Sequence, residues 1–112
     1  MLPALNASTH VAGETDTRPT DKNPSSPAAF EEKMRLARGW SDYYGRPVHV
    51  GEFGCYTSAD PDSRARFHAA FRRVLDDQNL GWALWDWSAG FRYWDKQRRQ
   101  PALGMREALI GK

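Results

Sequence analysis

The chain has 112 residues, 40% of them hydrophobic and 27% charged, which is the size and balance of one ordinary globular domain. Sixteen Lys and Arg against 14 Asp and Glu leave a net charge of +2, and only Arg72-Arg73 and Arg98-Arg99 are adjacent, so no nucleic-acid footprint is expected. The single cysteine, Cys55, excludes an internal disulfide, and no apolar run nears the ~18 residues of a membrane span, so no membrane partner is expected either.

Residues 1–26 show no helical or strand period. Prolines and the polar run from Thr15 to Ser26 make this stretch a predicted loop or disordered segment. The stretch Met1 to Ala7 has neither a basic region nor a long apolar one, so no export signal is visible in it. Ser26-Pro27 has the grammar of a helix start, a serine cap followed by proline at the first helical position. Phe30, Met34, Ala37, Trp40 and Tyr44 then keep the helical period, and Gly45 and Pro47 end it. A β-rich run, Val48 to Phe53, follows. Asp60-Pro61 opens a second helix with the apolar stripe Phe67, Ala70, Phe71, Val74 and Leu75. Leu80 to Asp86 reads as a second strand, loaded with indole rings. Residues 87–100 form a polar, aromatic loop, and a last helix is predicted from Pro101 to Ile110. The order loop, helix, strand, helix, strand, helix predicts parallel strands covered by helices, the α/β class.

The chemistry gathers at the strand ends. Gly51-Glu52-Phe53-Gly54 sets a carboxylate between glycines at the end of the first strand. A buried carboxylate without partners is costly, so one placed there implies a task or a salt bridge. Alternation puts Val48, Val50 and Glu52 on one face, and Gly81, Ala83, Trp85 and Trp87 on one face of the second strand. Small Gly81 and Ala83 would suit a crowded barrel interior, with Glu52 and Trp85 emerging at its top. Glycoside cleavage needs a carboxylate at the anomeric carbon, a second carboxyl group, and flat apolar surface for sugar rings. Glu52 and Trp85 match the first and third. Trp40 and Trp82 are expected to pack helix on sheet, and Trp87 and Trp94 to be site walls or loop anchors. His49 is expected under a helix, facing away from Glu52. His68 is expected at the surface, and His10 lies in the first segment. The histidines lack metal-ligand spacing, so no metal or cofactor is expected. Asp86 alternates to the other face and reads as a structural anchor; Asp60 and Asp62 read as helix-start residues.

Pro47 to Gly54, then Gly81-Trp82-Ala83-Leu84-Trp85-Asp86-Trp87 and Gly90-Phe91, resemble the C-terminal end of glycoside hydrolase family 5, the cellulase-like retaining (β/α)8-barrel enzymes. The resemblance covers residues 27–110 and spans the sixth helix, seventh strand, seventh helix, eighth strand and eighth helix. It implies that Glu52 is the nucleophile at the end of strand seven. It also implies that Trp85 is the strand-eight tryptophan walling the sugar subsite at the cleavage point. The implied partner is a β-linked oligo- or polysaccharide, cellulose or β-glucan or mannan, and the implied parent enzyme is secreted or periplasmic.

The family's acid/base glutamate follows an asparagine near strand four, and no Asn-Glu pair occurs in this sequence. The strand-six His/Tyr pair is also not recognisable in residues 1–25, so Met1 is expected just after strand six. The domain division is therefore residues 1–26 as loop and 27–112 as C-terminal barrel units, the C-terminal part of a (β/α)8 TIM barrel. Such a barrel needs ~250 residues. A truncated gene, a misassigned start codon or half of a split enzyme completed by an N-terminal barrel portion would each account for this length. Alone, the chain is expected to be inactive. The alternatives are a non-catalytic carbohydrate-binding module with a Trp85, Trp87 and Trp94 platform, and an inert gene product.

Overall fold

A computed structural model of the chain describes the backbone of residues 9–11 and residues 26–111. The elements in chain order are β1 (Thr9–Val11), α1 (Pro27–Tyr44), β2 (His49–Cys55), α2 (Pro61–Asp77), β3 (Gly81–Leu84), β4 (Trp94–Asp95), β5 (Gln100–Pro101) and α3 (Met105–Ile110). Strands β1, β2 and β3 form one sheet in that order, and both pairings are parallel. Strands β4 and β5 form a short antiparallel ribbon. No helix among the described residues is long and apolar enough to cross a membrane.

The helix starts follow from their first residues. The Ser26 hydroxyl accepts the Ala29 N–H and the Asp60 carboxylate accepts the Ser63 N–H, each satisfying a donor that the helix itself leaves unpaired. Proline follows both caps, where its missing N–H costs nothing. Gly45 ends α1 in the left-handed region at φ 62°, where a β-carbon would be strained.

One core lies between the helices and a single face of the sheet. Phe30, Met34 and Ala37 of α1 and Phe67, Phe71, Val74 and Leu75 of α2 meet Val50, Phe53 and Cys55 of β2, with Met105 and Leu109 of α3 closing one side. Phe71 lies edge-on to Phe30 and Phe67, with centroids 4.1 and 4.3 Å away. Each fully buried phenylalanine contributes roughly 1.5–3 kcal/mol relative to exposure. Trp82 and Leu84 pack on the rim of this core, and the Trp82 indole N–H reaches Asp76 at 3.4 Å.

Several sequence expectations are corrected. Residues 1–26 were expected to be loop throughout, yet Thr9–Val11 pair in parallel with Phe53, Gly54 and Cys55. Three residues are too few to show alternation, and the hydrogen bonds that define this strand come from β2. β1 lies beside the strand that carries Glu52, at the place expected for the sixth barrel strand, so residues 1–26 are not loop throughout. On α1 the buried face runs Phe30, Met34, Ala37, Ser41, so Trp40 lies at the flank beside Tyr44, 5.0 Å away. The last helix starts at Met105, because Gln100 and Pro101 pair with β4.

Candidate functional site

The decisive local feature is a slip in register on β2. Val50 pairs with Trp82 and Phe53 with Leu84, so Gly51 and Glu52 together stand opposite Ala83. An extra residue of this kind re-aims the side chains on either side of it. Val50 and Phe53 both turn into the helix-side core, 1% and 0% exposed. Strict alternation had put Val50 on the face of Glu52, and the slip overturns that. Glu52 alternates with Phe53 and so points to the face without helices, where it is half-buried. Trp82 and Leu84 pack toward the core, so Gly81 and Ala83 take that face.

The strand bearing Glu52 was expected to end at Phe53 but runs on to Cys55, and Trp85 directly follows β3 beside it. The Trp85 N–H donates to the Phe53 carbonyl at 2.9 Å, one residue from Glu52. Trp85 is 45% exposed, and the Trp85–Asp86 peptide bond is cis. Gly54 makes the approach possible, because a β-carbon there would clash with the Trp85 carbonyl.

Asp86 organises the loop that follows, as its anchoring role predicts. Its carboxylate accepts the Ala89 N–H at 2.6 Å and the Phe91 N–H at 3.1 Å. The Thr57 N–H donates to the Gly90 carbonyl at 2.9 Å, and the Tyr56 ring meets Phe91 edge-on at 5.3 Å. Arg64 completes the tie from below. The residue is 5% exposed, and its guanidinium donates to the Cys55 carbonyl at 3.1 Å and the Arg92 carbonyl at 2.9 Å. It joins the end of the strand bearing Glu52 to the loop after Trp85. Sequence reasoning missed Arg64, although it stands three residues before Phe67 and seven before Phe71, on the apolar stripe of α2.

The remaining reactive groups have structural surroundings. Burial pushes the Cys55 thiol up to about 11, outweighing the pull of Arg64, so it stays protonated and is a poor nucleophile. His68 was expected at the surface and is fully buried, beside Phe53 and Phe67. Its Nδ1–H donates to the Arg64 carbonyl at 2.7 Å, and Nε2 has no hydrogen-bond partner. Desolvation lowers its pKa to about 4, so the ring is neutral. His49 was expected under a helix. It is exposed, and its Nδ1 lies 2.9 Å from where a Gly81 β-carbon would stand, so it shares the helix-free face with Glu52. Val50 takes the helix side in its place. Among the described residues no group of His, Cys, Asp and Glu could hold a metal ion.

No sequence-family model matches the chain, and no curated protein matches it. Solved structures do. An endoglucanase superposes over 94% of this chain and 39% of its own length, at TM-score 0.74 and 20% identity. Cel5A of Thermotoga maritima, in a mutant form with cellobiose, matches 79% of this chain and 28% of its own, at TM-score 0.71 and 32% identity. The chain resembles the C-terminal portion of a family 5 glycoside hydrolase. The family 5 xyloglucanase of Paenibacillus pabuli agrees in fold, at TM-score 0.66 and 18% identity over 93% of this chain and 36% of its own. Cel5A has also been solved with mannotriose. The chain spans between 28% and 40% of the length of these family 5 and related structures. Its fold is the C-terminal part of a (β/α)8 barrel, with β1, β2 and β3 as three adjacent parallel barrel strands.

Proposed function

We propose that residues 27–112, with β1 as their neighbouring strand, are the nucleophile-bearing part of a retaining hydrolase of β-linked glycans. The observation that carries this reading is the placement of Glu52. It stands in the C-terminal half of β2, next to Phe53, the last residue that pairs with β3, on the helix-free face and one residue from the carbonyl that holds the Trp85 backbone. Barrel enzymes place their chemistry at the C-terminal ends of strands.

In this mechanism a pyranose ring rests its C–H face on Trp85. A Glu52 carboxylate oxygen attacks the anomeric carbon as the bond to the leaving oxygen breaks, forming a glycosyl ester. A second carboxyl group, about 5 Å from Glu52, gives its proton to the leaving oxygen and then activates the water that releases the sugar. That second group belongs to an N-terminal barrel portion, and the reaction needs no cofactor. Substrates are β-glucan or cellulose, or mannan. The cellobiose and mannotriose complexes of the structural neighbour support this class of ligand.

The test joins the chain to an N-terminal barrel portion from a family 5 neighbour. Glu52→Gln keeps shape and removes charge, and turnover is expected to fall by several orders of magnitude. A mechanism-based fluoroglycoside is expected to label Glu52. A label on a different carboxylate, or turnover retained by Glu52→Gln, would reject the assignment.

A further inference from the structure

The rim beyond Trp85 carries a second flat aromatic surface. Trp87 is 61% exposed. Its ring lies 7° from parallel to Trp94 at a centroid distance of 5.4 Å, and 27° from Tyr93 at 5.5 Å. The backbone under it is pinned on both sides. The Trp94 N–H donates to the Trp87 carbonyl at 2.7 Å and the Tyr93 N–H to the Asp86 carbonyl at 2.9 Å. The ring is thus held flat before any ligand arrives, which lowers the ordering cost of binding.

Core packing does not account for a mostly exposed indole. Trp82 reaches the core from β3, whereas Trp87 follows β3 at the end where Glu52 and Trp85 emerge. A rigid, exposed aromatic plane two residues from Trp85, in chain continuity with it, fits one class of ligand well. Pyranose rings offer a flat C–H face to the plane and keep their hydroxyls in water.

We propose that Trp87, backed by Trp94 and Tyr93, is a second sugar-stacking residue that takes a pyranose ring of the same β-linked chain, beyond the ring on Trp85. This rests on the glycan reading above and adds a chain-length preference to it. The surface should bind an extended glucan or mannan chain better than a disaccharide. One stacked ring corresponds to roughly a fivefold gain in affinity.

The experiment immobilises the full 112-residue chain at low density through a C-terminal tag, so that molecules do not meet. Cellobiose, cellotetraose and mannotetraose are titrated over it. The tetrasaccharide is expected to bind about fivefold tighter than cellobiose. Trp87→Ala should remove that gain, and Trp87→Phe should restore much of it. Trp85→Ala should weaken all three sugars. The exposed ring of Trp87 can be removed without opening the core, and an unchanged melting curve verifies this. If Trp85→Ala abolishes binding while Trp87→Ala keeps the length preference, the second platform is wrong and the glycan reading stands. If the unaltered chain binds none of the sugars, or Trp85→Ala and Trp87→Ala both bind as it does, the second platform falls, and the glycan reading is decided by the Glu52 label in the joined enzyme.

Discussion

At the scale of single residues, His68 shows how a buried base reports on stability. Its pKa is about 4 in the folded chain against an ordinary 6.5, because burial disfavours the imidazolium. Above pH 6.5 both folded and unfolded chains hold it neutral, and it has no effect on their balance. As pH falls from 6.5 to 4 the unfolded chain takes the proton and the folded chain does not. Stability should then decline by about 1.4 kcal/mol per pH unit, levelling off below pH 4 after a loss on the order of 3 kcal/mol. Urea midpoints measured from pH 7 to pH 4 check this. His68→Leu should flatten the decline between pH 6.5 and 4, and an equal slope in that variant would assign the effect to other groups. The spacing marked the depth of His68, which stands three residues before Phe71 and seven before Leu75 on the same buried stripe as Phe67; only its polar ring had argued for the surface.

At the scale of elements, the rim depends on one side chain of α2. Arg64 satisfies the carbonyls of Cys55 and Arg92, which belong to two segments that do not otherwise share a helix or strand. Arg64→Met keeps much of the packing volume and leaves both carbonyls without this donor. An unpaired buried acceptor costs about 1–3 kcal/mol, so a loss of roughly 2–4 kcal/mol is expected. The loosening should be local, with faster hydrogen exchange at Phe91, Tyr93 and Trp94 than in α1. A uniform change across the chain, or a loss below about 0.5 kcal/mol, would show that Arg64 does not tie the rim. The helix starts at Ser26 and Asp60 were legible because caps and N1 prolines act within four residues. The start of α3 was not, because Pro101 satisfies the same local rule and only its pairing with Trp94 overrides it.

At the scale of the whole molecule, the sheet has a helix-covered face with a core and, among the described residues, a second face without helices. Among the described residues β1 and β3 each pair on one side only. Unpaired strand edges recruit other strands. The isolated chain should therefore self-associate as its concentration rises, and it should not hydrolyse glycans. General acid catalysis is typically worth 10²–10⁴-fold, and Glu31, Glu32 and Glu107 lie on the outer helices, away from Glu52. Light scattering across a concentration series, with assays on soluble β-glucan and mannan, checks both statements. A strictly monomeric chain with measurable turnover would contradict them. An N-terminal barrel portion added in trans should suppress the self-association by occupying the same edges.

Local chemistry alone determined the αβαβα rhythm, the caps, the placing of Glu52 on a strand and the indole-rich run of β3. These follow from short-range periodicity and from what proline, glycine and cap residues permit. The family 5 likeness was legible for the same reason, since its motifs lie at strand ends a helix apart. Tertiary structure decided which side of the sheet each residue serves. The one-residue slip between Val50 and Phe53 sends both into the core, and leaves Glu52 on the helix-free face with His49. A slip of this kind is set by pairing with β3 and by the volume the helices must fill, and no local pattern records it. Likewise β1 exists through its hydrogen bonds to β2, and the Trp87–Trp94 stack through the ribbon that folds Trp94 back onto the loop. These contacts join residues that neither alternation nor helical period brings together.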